Sequence, residues 1–178
     1  MEMRRKILST PKKVDRLFLF DEADNRQVTG GWVVGSTNAK DFYEVTQGEK
    51  LISIKHLGTR WSTEYFTYHT VNKIDISKFS KLTIRYKKFF YNPTTTVEYK
   101  GIVAGMLEQP TSYVRDMALK CDPNLLNSLQ ENIELDFDIA GFSGEYYFAI
   151  APYAYYGIRG NSNDNYGLLW EIEKIYFS

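Results

Sequence analysis

The chain has 178 residues, with 22 lysines and arginines against 22 aspartates and glutamates, and an aromatic share of 16% that includes 14 tyrosines and 11 phenylalanines. A formal net charge of zero supplies no field to recruit a polyanion, which excludes nucleic acid and acidic membrane surfaces as expected partners. A single cysteine, Cys121, and two histidines, His56 and His69, leave neither an internal disulfide nor a Cys/His zinc site, and no apolar run approaches the roughly 20 residues that a membrane helix needs.

The length predicts one domain with one core. Residues 1–13 are basic and aperiodic and read as a leader or arm, and residues 14–178 read as a single β-sandwich domain. The basic start runs into Ile-Leu-Ser-Thr-Pro-Lys-Lys, which is no signal peptide. The chain is therefore expected to be synthesised in the cytoplasm and to leave the cell, if it does, inside a larger assembly.

The first predicted strand covers residues 14–20. A polar turn follows, Asp21-Glu22-Ala23-Asp24-Asn25, and then Thr29-Gly30-Gly31-Trp32, where Trp32 can pack across a glycine pair that bends sharply. Short strands are expected at 42–45 and 50–56, and a strand with aromatics on both faces at 61–69. In 82–90 Leu82, Ile84 and Tyr86 alternate with Thr83, Arg85 and Lys87, the signature of one dry and one wet face. Strands at 97–108 and 113–120 form a hairpin through Gln109-Pro110-Thr111. Asp122-Pro123 opens the one predicted helix, with Leu125, Leu126, Leu129 and Ile133 at helical spacing.

The strongest pattern follows. Ile133, Leu135, Phe137 and Ile139 alternate with Glu134, Asp136 and Asp138; Gly141-Phe142-Ser143-Gly144 turns the chain; and Tyr146, Phe148 and Ile150 resume the alternation until Pro152, which is expected to end the strand. Residues 153–167 read as a loop, and a closing strand covers 169–177. Some ten short strands and at most one or two short helices predict an all-β fold, an antiparallel β-sandwich of jelly-roll type.

Several of these phrases occur together in a known family. Leu19-Phe20-Asp21-Glu22-Ala23-Asp24-Asn25 with Thr29-Gly30-Gly31-Trp32, then Ile74-Asp75-Ile76-Ser77-Lys78-Phe79-Ser80-Lys81-Leu82, then residues 135–147, then Ile172-Glu173-Lys174-Ile175-Tyr176-Phe177, resemble in that order the galactose-binding-like jelly-roll modules of phage and prophage tail proteins. More distantly they are similar to carbohydrate-binding modules. The resemblance implies that the Asp-Ile-Ser phrase introduces a core strand and that the last strand returns beside the first. The sequence departs from the family in a longer middle, residues 99–131, and in the basic leader.

Sugar binding needs aromatic faces for pyranose C–H groups and amides, carboxylates or arginine for the hydroxyls. Tyr153, Tyr155 and Tyr156 followed by Arg159, Asn161, Asn163 and Asp164 supply both, and Trp61, Tyr65 and Tyr68 form a second group. Core, edge or subunit contacts are the alternative use of these rings, and for Trp32 and Trp170 that alternative is the expected one. Asp21, Glu22, Asp24 and Asn25 offer hard oxygen ligands for a structural calcium ion, which the resemblance also implies; a solvated turn is the plainer reading. Asp136 and Asp138 lie about 7 Å apart on one strand face and read as solvated carboxylates rather than a hydrolytic pair. Cys121 reads as a small buried hydrophobe.

These readings lead to a non-catalytic structural or binding protein of a phage or phage-like particle. It is expected to form a homo-oligomer with other virion or surface-assembly proteins and to contact cell-surface glycan. A free-standing bacterial carbohydrate-binding module is the alternative.

Overall fold

The computed structural model describes residues 15–21, 26–35, 43–57, 60–62, 66–91, 100–110, 119–120, 130–158 and 166–178. Two antiparallel sheets face each other. The first contains β11 (Gln130–Asp138), β8 (Lys81–Tyr91), β13 (Tyr166–Phe177), β4 (Ile52–Leu57) and β3 (Tyr43–Gln47) in that order, with β1 (Leu17–Phe20) also on β13. The second runs β10 (Leu119–Lys120), β9 (Lys100–Leu107), β12 (Glu145–Ile158), β6 (Tyr68–Thr70), β2 (Trp32–Val34), with β5 (Arg60–Ser62) and β7 (Ile74–Asp75) also on β12. The only helix among the described residues is one turn, α1 (Arg26–Thr29), in a stretch the sequence reads as part of a connection.

The alternation in β8 places Leu82, Ile84 and Tyr86 fully buried between the sheets and Arg85 and Lys87 exposed, as expected; Thr83, expected to face water with them, is buried instead, its hydroxyl donating to Asp136 Oδ1. Trp170, Phe148, Phe177, Phe89 and Phe66 fill the middle. Phe148 joins the layers, with its ring set edge-on to Phe177 of the first sheet at 5.7 Å and to Trp32 of its own sheet at 5.9 Å between centroids. Such crossed pairs favour the ring quadrupoles and lock the approach of the sheets.

The corner at residues 139–144 carries the chain from one sheet to the other, since β11 lies in the first and β12 in the second. It is held by the Asp-Ile-Ser phrase. Asp75 Oδ1 accepts the Ser77 N–H, Ser77 Oγ accepts the Gly144 N–H, and the Ser80 carbonyl accepts the Ile139 N–H. Gly144, at φ 112, occupies a conformation that other residues rarely adopt. The last strand does return beside the first: Phe177 pairs with Leu17 and Tyr176 with Phe18.

Three expectations need correction. Pro152 does not end its strand, because β12 continues to Ile158, so residues 153–158 are strand and not loop. The reason lies in parity. The Phe148 N–H points to the β6 side, where it donates to Thr70 Oγ1, and Pro152, four residues on, directs its missing N–H to the same side. There it falls between the last pair with β6, Ile150 with Tyr68, and the first with β5, Tyr155 with Ser62, so no observed ladder bond is lost. The predicted strand over 61–69 is two strands, β5 and β6, both on β12. Ile133, which fits both the helical spacing and the strand alternation, follows the alternation and pairs with Tyr86; residues 121–129 of the predicted helix lie outside the described residues.

Candidate ligand-binding surface

The two outward faces of the sandwich differ. On the first sheet the face carries a ladder of opposite charges. Lys81 Nζ lies 2.9 Å from Asp136 Oδ2, Thr83 Oγ1 donates to Asp136 Oδ1 at 2.7 Å, and Arg85 Nε lies 3.2 Å from Glu173 Oε2. Glu134 faces Arg85 and Glu171 faces Lys88 across the ladder. Burial raises the Asp136 pKa, but hydrogen bonds from Thr83 and Lys81 outweigh it and leave the carboxyl below its ordinary range, while the same bond raises Lys81. Asp138 Oδ1 accepts the Ala140 N–H at the start of the corner. Both carboxylates of the considered hydrolytic pair are thus engaged in holding the strand ends. This is a water-facing surface with its charges matched.

The middle of the second sheet, on β12 and β9, is dry on both sides. Along β12 Phe148 and Ile150 face the core, yet the alternate residues Ala149 and Ala151, with Val103 beside them on β9, are equally inaccessible to solvent. At one corner of this outer face Tyr147 is half-buried, with Lys73 Nζ over its ring at 5.5 Å and the His69 ring at 6.5 Å. His69 Nδ1 lies 2.9 Å from the Thr70 carbonyl oxygen; a carbonyl only accepts, so this nitrogen carries the proton. From the sequence Tyr147 and Lys73 carry no expected role, and His69 enters only as one of two histidines too few for a zinc site. The signal for them was there, in a run of apolar residues at both parities from Tyr146 to Ala151, which marks a strand covered on two sides.

Beyond Pro152, β12 pairs with β9 on one side, Tyr153 opposite Gly101 and Ala154 opposite Lys100, and with β5 on the other, Tyr155 opposite Ser62 and Ile158 opposite Arg60. A register shift lies between those last two pairs. The pairing sets the backbone of residues 60–62, which includes Trp61, alongside that of 153–158, which includes Tyr153, Tyr155 and Tyr156. Trp61, one member of the second aromatic group, therefore lies on an antiparallel ladder with the stretch that holds Tyr153, Tyr155 and Tyr156, roughly ninety residues away in sequence.

Tyr68 is placed differently. It is 5% exposed, stacked on Trp32 at 5.3 Å between centroids, and its hydroxyl donates to Gln47 Oε1 at 3.1 Å. Burial pushes its phenol up to about 12. Trp170 belongs to the core, and Trp32 is half-buried and packs against it, so neither ring is free for a ligand from the core side. Tyr65, Arg159, Asn161, Asn163, Asp164 and Cys121 lie outside the described residues, as do Glu22, Asp24 and Asn25 of the calcium set; Asp21 is half-buried where β1 ends. Among the described residues no group of three or more His, Cys, Asp or Glu side chains is placed to hold a metal ion, and no helix is long and apolar enough to cross a membrane.

No protein-family model matches the chain, and no curated protein matches it. Solved structures do. One described as "CBM4 structure and function" is 12% identical, with a TM-score of 0.46, and the likeness covers 93% of this chain and 94% of that one. A second, "BiXyn10A CBM1 APO", is 9% identical with a TM-score of 0.44, covering 83% of this chain and 89% of that one. A third is described as a low affinity xylan binding module, CBM86, from the gut symbiont Roseburia intestinalis; it is 9% identical with a TM-score of 0.38, covering 84% of this chain and 96% of that one.

Proposed function

We propose that the chain is a non-catalytic module that binds carbohydrate through the aromatic side chains of β5 and of the outer half of β12. The observation that carries this reading is the β5–β12 ladder, with Tyr155 opposite Ser62, which joins the Trp61 stretch to the tyrosine stretch. A backbone already fixed by strand pairing has less conformational entropy to lose when a sugar chain is laid across the residues it carries. Arg159, Asn161, Asn163 and Asp164 follow β12 directly in the sequence and supply the donors and acceptors for hydroxyl groups. A binding role without catalysis is supported by Asp136 and Asp138, whose oxygens are occupied by Lys81, Thr83 and the Ala140 N–H.

The test is isothermal titration of the full chain with a panel of soluble plant and bacterial cell-wall polysaccharides. Saturable binding to at least one, lost in Tyr155→Ala and kept in Asp136→Asn, is the expected result; no binding across the panel overturns the proposal. The sequence resemblance supports a phage-like particle as the carrier of the module, with a free-standing bacterial module as the alternative. Mass spectrometry of purified native particles separates the two: the chain co-purifies with other virion proteins in the first case and is absent in the second.

A further inference from the structure

Among the described residues β2 closes one edge of the second sheet, and its hydrogen-bonding parity is fixed by β6. The Val71 N–H donates to the Gly31 carbonyl and the Gly35 N–H donates to the Thr67 carbonyl, so Gly31, Val33 and Gly35 point their backbone groups at β6. Trp32 and Val34 therefore point theirs away from the sheet. Exposed edges are ordinarily blunted with charge, proline or a bulge. β11 carries Glu131, Glu134, Asp136 and Asp138, β3 carries Glu44, and β10 ends on Lys120, but β2 reads Trp-Val-Val between glycines. Val33 is 41% exposed and Val71, diagonal to it across the β2–β6 ladder, is 44% exposed; among the described residues these are the exposed large hydrophobics.

We infer that β2 is a homodimer interface, in which two copies pair their β2 strands antiparallel about a two-fold axis through Val33. The parity admits this arrangement without adjustment. With Val33 opposite its own copy, Trp32 stands opposite Val34 of the partner, and the outward N–H and C=O groups of Trp32 and Val34 in both copies close four hydrogen bonds. Side chains match as well. The half-buried Trp32 and Val34 meet as an aromatic and β-branched pair on the inner face, and the two Val33 side chains meet on the outer face. No charged side chain of β2 is buried in the process, and the second sheet becomes continuous across the pair. A second copy is favoured over an unrelated strand because the tripeptide is complementary to itself in both hydrogen bonding and apolar content.

Sedimentation equilibrium of the full chain tests this, with a rise from the chain mass of 20.7 kDa to twice that value expected as concentration increases. Val33→Lys places two ammonium groups at the axis and is expected to keep the chain monomeric, whereas Val33→Thr keeps strand propensity and the dimer. Amide exchange needs no variant: the Trp32 and Val34 N–H groups should exchange roughly tenfold or more slowly in concentrated than in dilute solution. A monomer at every concentration, a dimer that persists in Val33→Lys, or Trp32 and Val34 amides indifferent to concentration overturns the inference.

Discussion

Ser77 Oγ accepts the Gly144 N–H at 3.0 Å, a single bond between residues 67 apart that fastens the segment leading into β8 to the corner where the chain changes sheets. Ser77→Ala removes the acceptor and leaves the Asp75 turn in place. The expected cost is about 1 kcal/mol in urea denaturation, in the range of one exposed to half-buried hydrogen bond. Amide exchange should locate it, with the Gly144 N–H exchanging faster in the variant and the core Phe148 N–H unchanged.

Gly30 predicts a backbone effect that can be dissected. Its φ is 66, and a Cβ at this position would meet the Asn72 side-chain atoms at 2.7 Å. Gly30→Ala therefore adds a clash to left-handed strain, for a loss of about 1–3 kcal/mol. Asn72→Ala in the same chain removes the clash and leaves the strain. The double variant should be more stable than the sum of the two single losses, read as a positive coupling in a thermal-unfolding cycle.

Phe148→Ala opens a hole at the contact between the layers. With its ring fully buried and set edge-on to Phe177 and Trp32, the expected loss is about 3–5 kcal/mol by chemical denaturation. Phe148→Leu retains most of the volume and should lose well under half of that.

Acid should weaken the fold through Asp136 and Asp75. Both carboxyls lie below their ordinary range in the folded chain, Asp136 because Thr83 and Lys81 outweigh burial and Asp75 because of its bonds from Ser77. A depressed folded value means that the ionised form is favoured by folding. The contribution is fully present above the unfolded aspartate value near about 4, and it is lost as the pH falls through the lower folded values. Urea midpoints measured across the acid range should drop for the wild type and drop less steeply for Asp136→Asn.

Alternation made much of the fold legible, because one face of β11 and of most of β8 meets water. Residues 133–139 and 82–90 show it directly, and their pairing, Leu135 with Ile84 and Phe137 with Leu82, follows from matching dry faces. It failed where a strand is dry on both sides. The run through Tyr147, Phe148, Ala149 and Ile150 carries no period that separates core from outer face, and Pro152 was given a terminating role that only the gap between β6 and β5 relieves. The tyrosines at 153–156 were chosen for chemistry while assigned to a loop, and Tyr68 was chosen although its ring is stacked in the core, since residue type does not reveal which face a ring occupies. What no sequence pattern could supply was the pairing partner of β12, which is non-local.

The central claim, that carbohydrate is held along the β5–β12 ladder, is tested most directly by titrating isotope-labelled chain with an oligosaccharide that it binds and following amide shifts. The largest changes are expected at residues 60–62 and 153–158, small ones at 81–85 and 134–138, and all of them should be lost in the Trp61→Ala, Tyr155→Ala double variant. Shifts centred on the charged ladder of the first sheet, with residues 60–62 and 153–158 unmoved, would contradict it.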